Sequence, residues 1–81
     1  MKIEVLFFAK MKDIFGESRR FVEVPEGWSA AELAQRLVEQ CDDPALQRSH
    51  MILAVNEDLE TGERTLKDRD RLAIMTPMSG G

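Results

Sequence analysis

Residues 29–41, Ser-Ala-Ala-Glu-Leu-Ala-Gln-Arg-Leu-Val-Glu-Gln-Cys, carry the one long helical pattern in the chain and decide its fold. Ser29 and Glu32 have the spacing of a capping box, in which the serine caps the Glu32 amide and the glutamate reaches back. Leu33, Leu37 and Cys41 recur four apart with Ala30, Ala34 and Val38 beside them, so an apolar stripe runs to about Cys41. Asp42-Asp43-Pro44 closes the helix, because the residue before a proline avoids the α region. A lone amphipathic helix must bury its stripe against another layer, and the remaining apolar segments read as strands.

Upstream, residues 2–9 (KIEVLFFA) are β-branched and aromatic, which predicts a strand. Lys10–Phe15, stopped by Gly16, is expected to form one or two helical turns. Arg19–Val24 partly alternates and makes a second strand, followed by a Pro25-Glu26-Gly27 turn. Downstream, Ile52–Asn56 is a third strand. Glu57–Asp70 is polar, with a turn at Thr61-Gly62-Glu63 and at most a short strand around it. Arg71–Thr76 is the last strand, ended by Pro77, which cannot donate to a ladder. The expected fold class is α+β, a β-grasp: a mixed sheet of about four to five strands covered on one face by one main helix. In it the last strand lies beside the first and parallel to it. The domain is expected to span residues 1–76, with 77–81 as a flexible Gly-Gly tail.

Composition bounds the function. Eighty-one residues make one domain, and 43% hydrophobic with 32% charged residues describes a soluble globule. The longest apolar runs, Val5–Ala9 and Met51–Val55, fall far short of the ~20 residues of a membrane span. A net charge of −4 with scattered cations argues against nucleic acid, and a cytoplasmic protein is expected. One cysteine and one histidine make a poor start for a metal site. Cys41 falls on the helix stripe and reads as core; His50 reads as a loop or strand-end residue. Nothing here resembles a nucleophile–base pair.

Two features remain. Side chains alternate across a strand, so Ile3, Val5, Phe7 and Ala9 share one face with Leu72 and Ile74, while Leu6, Phe8, Ala73 and Met75 share the other. One helix covers only one face, which leaves Leu6, Phe8, Ala73 and Met75 as a protein-docking patch that Leu59 extends, unless the Glu57–Asp70 loop folds over it. The second feature is the ending Pro77-Met78-Ser79-Gly80-Gly81, which reaches roughly 17 Å when extended. Two glycines without Cβ let the backbone pass through a channel too narrow for any side chain, which suits a Gly81 carboxylate that must enter another protein's active site.

With Val5-Leu6-Phe7-Phe8-Ala9, the helical Lys10–Gly16 segment, Leu53-Ala54-Val55-Asn56 and the Pro77–Gly81 ending, the whole chain resembles the small subunit of molybdopterin synthase, a ubiquitin-like sulfur carrier. The resemblance implies that an adenylating enzyme of the ubiquitin-activating type spends ATP to activate the Gly81 carboxylate, which a sulfur donor converts to a thiocarboxylate. No cofactor would be bound permanently. The tail then enters the large synthase subunit, in a heterotetramer, where the sulfur attacks precursor Z (cyclic pyranopterin monophosphate). Gly80 gives slim passage; Phe8, Leu6, Leu59, Met75, Pro77, Met78 and Ser79 fall at partner contacts. The chain alone would not be an enzyme, and neither nucleic acid nor membrane is implied. The family often has Asp-Gly-Asp before the last strand where this chain has Asp68-Arg69-Asp70, which strains Arg69 if that position needs φ > 0. Met75 and Thr76 replace more aromatic and proline-rich choices. The residues alone leave three other readings open: a carrier for thiazole or tRNA thiolation, a ubiquitin-like protein modifier, and a plain interaction module.

Overall fold

The first strand, β1 (Lys2–Phe7), buries every second residue, Ile3, Val5 and Phe7, and is an inner strand of the sheet. The computed structural model describes residues 1–41, 51–60 and 62–75. After β1 come α1 (Lys10–Phe15), β2 (Arg19–Glu23), α2 (Ala30–Glu39), β3 (Ile52–Val55), β4 (Asp58–Glu60) and β5 (Arg71–Met75). The sheet order is β2-β1-β5-β3-β4. Its β1/β5 pair is parallel and its other pairs are antiparallel. This is the β-grasp architecture expected from the sequence.

Helix α2 begins as its sequence dictates. The Ser29 side chain accepts from the Glu32 amide at 3.2 Å, and the Glu32 carboxylate accepts from the Ser29 amide at 3.0 Å. Ala30, Leu33, Ala34, Leu37 and Val38 are buried against Ile3, Val5, Phe7, Val55, Leu72 and Ile74, which form the core. The helix stops at Glu39, with Gln40 as its cap, two residues short of the expected Cys41; Cys41 is half-buried and packs against the core. The acidic Asp42-Asp43-Pro44 stop and His50 lie outside the described residues.

Three strand ends differ from expectation, those of β1 and β3 for a backbone reason. β1 stops at Phe7 because Ala9 turns to φ 49°, so Phe8 and Ala9 leave the pleat and Ala9 does not share the core face. α1 follows at once, seats Met11 in the core, and ends on Gly16 at φ 75°. β2 gives up its last residue, and β3 stops at Val55 because Asn56 and Glu57 (φ 51° and 74°) form a two-residue hairpin turn into β4. Positive φ at both central positions is the type I′ geometry, whose twist suits a hairpin. The short polar strand expected within 57–70 is therefore β4, Asp58–Glu60.

The segment after β4 does not cross the open face of the sheet. It runs along the start of α2: the Ala31 and Ala30 amides donate to the Gly62 and Arg64 carbonyls, and the Leu66 amide to that of Trp28, each at 2.9 Å. Leu66 is buried there. The Asp68-Arg69-Asp70 turn then sets β5 against β1. The Lys2 amide donates to Asp68 at 2.7 Å, the Arg69 amide to the Lys2 carbonyl at 2.7 Å, and the Glu4 amide to the Asp70 carbonyl at 3.0 Å. Arg69 sits at φ 71°, the left-handed conformation its position in the turn implied.

A candidate protein-docking face

With the loop drawn away, no described segment covers the sheet face opposite α2. Register places Arg19, Leu6, Ala73, Ala54 and Leu59 in one row across all five strands. Ile52 and Met75 pair in the next row. Leu59 is 74% exposed, Phe8 48% and Ile52 40%, while Leu6, Ala73 and Met75 are half-buried among them. Ala54 is small and buried, so the centre of the row is a shallow floor.

Leu6, Leu59 and Met75, all picked from the sequence, stand on this one face. Phe8 stands at its end through a different route from strand alternation. Because Ala9 breaks the strand, Phe8 borders a shallow groove of about 500 Å³ lined by Leu6, Phe7, Phe8, Ala9, Lys12, Ser18 and Arg19. Pro77, Met78, Ser79, Gly80 and Gly81 lie outside the described residues. β5 runs parallel to β1 with Phe7 opposite Ile74, so β5 ends, at Met75, at the Phe8 end of the face.

Ile52 was missed by sequence reading, although it shares alternation parity with Ala54 and could have been placed once β3 paired with β5. Phe21 was missed as well. It stands opposite Glu4 on the edge strand and is 59% exposed. This far half of the face is charged. Glu4 receives Arg71 at 2.9 Å and Arg19 at 3.2 Å.

What the near half offers is apolar contact area beside the exit of the last strand, in a pattern that suits seating against another protein. Among the described residues no group of three or more His, Cys, Asp and Glu side chains could hold a metal ion. No described helix is long and apolar enough to cross a membrane.

Comparison with known proteins gives this geometry a lineage. The ThiS family matches residues 5–81. The molybdopterin synthase sulfur carrier subunit of Drosophila melanogaster is 39% identical over 84 residues, covering 100% of this chain and 92% of the relative. Among solved structures, the complex of subunits 1 and 2 of molybdopterin-converting factor from Helicobacter pylori 26695 contains a chain 27% identical, with 100% of both chains covered and a TM-score of 0.62. Small archaeal modifier protein 1 of Haloferax volcanii is 21% identical with a TM-score of 0.78, over 95% of this chain and 98% of that one; this likeness shows the shared fold. The family match over residues 5–81 and the 39% identity over the whole chain decide the placement: the chain belongs to the ThiS family, with the molybdopterin synthase sulfur carrier subunits as its relatives.

Proposed function

We propose that this protein is the sulfur-carrier subunit of a molybdopterin synthase. The observation that carries the reading is the 39% identity to a protein of that name across the whole chain. The fold supports it, because the last strand ends beside an apolar face of the kind that a partner subunit covers.

In this reading the large synthase subunit seats on Phe8, Leu6, Ile52, Leu59 and Met75. The residues from Pro77 to Gly81 continue from the edge of that seat into the partner's active site. Gly81 supplies the reacting group. A carboxylate does not transfer its acyl group until an oxygen becomes a leaving group, so an adenylating enzyme of the ubiquitin-activating type first forms the acyl-adenylate from ATP. Sulfide-level sulfur released by a donor then attacks the acyl carbon, the bond to the adenylate oxygen breaks with AMP leaving, and a thiocarboxylate remains. The thiocarboxylate donates its sulfur to precursor Z in the large subunit, and the carboxylate returns. The chain is thus a consumed and regenerated reactant of a sulfurtransferase complex, working in the cytoplasm, with no cofactor of its own. Purification of the chain with the large subunit, followed by conversion of precursor Z to molybdopterin only when the carrier has been thiocarboxylated, tests the reading.

A further inference from the structure

The charged half of the open face has an arrangement that apolar seating does not explain. A groove of about 330 Å³ is lined by Lys2, Glu4, Phe21, Arg69 and Arg71. The Lys2 ammonium lies 5.7 Å and the Arg19 guanidinium 6.0 Å from the centre of the exposed Phe21 ring. Glu4 is shared between Arg19 and Arg71, Asp68 accepts the Lys2 amide and stands 4.0 Å from Arg69, and Glu23 is opposite Lys2. Lys2, Arg19, Arg69 and Arg71 therefore outnumber Glu4, Glu23 and Asp68 here, in a chain whose net charge is −4. Arg69 is 89% exposed on its side chain and held at φ 71°, where glycine fits with less strain. A cation kept at a strained, fully presented position points to use.

We propose that this groove is a second docking subsite, taking a carboxylate-bearing margin of the large synthase subunit beside the apolar seat. Phe21 is its anchor, and Lys2, Arg69 and Arg71 are its charge partners. Glu4 lies two residues before Leu6 on β1, and Arg71 two before Ala73 on β5, so both halves form one continuous face. That continuity with an apolar protein seat favours an acidic protein surface over nucleic acid. The subsite rests on the reading of the chain as a carrier subunit and sets the partner's orientation and capture rate.

Calorimetry of the full chain with the large synthase subunit, at about 50 and about 500 mM NaCl, tests it. Wild-type binding is expected to weaken about tenfold at the higher salt. Arg69→Glu is expected to weaken low-salt binding about tenfold and to flatten the salt response, and Phe21→Thr to weaken binding about threefold at both salts. Arg69→Gly, which removes the charge while relieving the backbone, guards against misfolding and should weaken low-salt binding with an unchanged or higher melting temperature. Folded variants that bind as the wild type does, with the same salt response, overturn the subsite alone. A wild-type chain that does not bind the large subunit overturns the carrier reading and the subsite with it. Loss of single-stranded RNA binding in these variants, with large-subunit binding intact, would assign the groove to nucleic acid instead and overturn the proposal.

Discussion

Leu6 on β1 stands directly opposite Ala73 on β5, in the parallel register that joins the first and last strands of the sheet. This pairing fixes two things together. It turns Leu6 and Ala73 away from α2, and it brings the end of β5 to the end of β1 where Phe8 is exposed. The apolar face and the start of the segment leading to Gly81 are thus neighbours by construction.

Leu59 gives the cleanest probe of the apolar face, because its exposure leaves little packing to lose on folding. Leu59→Asp and Phe8→Asp are each expected to weaken binding to the large subunit by more than ~2 kcal/mol if they are hot spots. Their thermal melts should stay near wild type. Met75→Asp should do the same to binding with a larger folding cost, since Met75 is half-buried on an inner strand. Unchanged affinity in the first two variants would contradict the seat.

Backbone strain makes a separate prediction. Arg69 and Glu57 both hold positive φ without glycine's freedom. Arg69→Gly or Glu57→Gly should stabilise the fold by about 1 kcal/mol, raising the melting temperature by about 5 °C. Asn56→Gly is the control. Its side chain donates to Asp70 at 3.0 Å and accepts from the Arg71 amide at 3.0 Å, so this change should destabilise despite φ 51°. Equal effects at positions 56 and 57 would refute the assignment of strain.

Gly62 and Gly16 separate steric from conformational effects. Both have positive φ, but a Cβ on Gly62 would meet the Ala31 Cβ at 3.0 Å, whereas one on Gly16 meets nothing within 4 Å. Gly16→Ala is expected to lose about 1 kcal/mol from backbone strain alone, and Gly62→Ala about 2 kcal/mol or more. Ser29→Ala should remove about 1 kcal/mol through the lost cap. Chemical denaturation would rank the three.

The elements were legible where local rules act alone. Ser29 and Glu32 announced α2, Gly16 announced the end of α1, and the alternation through Ile3, Val5 and Phe7 announced the core face. What stayed hidden was set by backbone geometry that side-chain pattern does not encode. Ala9 carries no signature of positive φ, so β1 reads longer than it is, and Asn56-Glu57 lacks the glycine that would have announced the hairpin turn after Val55. Whether the 62–70 segment covers the open face depends on its hydrogen bonds to Trp28, Ala30 and Ala31, which only the assembled fold provides. Of the candidate site, Leu6, Leu59 and Met75 followed from strand parity. Ile52 needed the pairing of β3 with β5, because an all-apolar strand does not show which parity faces the helix. Phe21 needed the strand order, because a half-polar edge strand gives little hint of which face is left bare.

The tail can be probed without disturbing the core. All of the described core lies between Ile3 and Ile74, so Gly80→Val and deletion of Gly81 should leave the melt nearly unchanged. Both should abolish sulfur transfer: the valine by placing a branched side chain in a narrow passage, the deletion by withdrawing the reacting carboxylate from its position. Full turnover by either variant would contradict the role given to these glycines.

The most direct measurement is the mass of the intact protein after incubation with ATP, a sulfur donor and its adenylating enzyme. The carrier account predicts a gain equal to one oxygen-to-sulfur exchange, placed on Gly81 by tandem mass spectrometry, and its loss once the large subunit and precursor Z are added. Added sulfur found on Cys41, or Gly81 found joined to lysine side chains of other proteins with no thiocarboxylate formed, would contradict it.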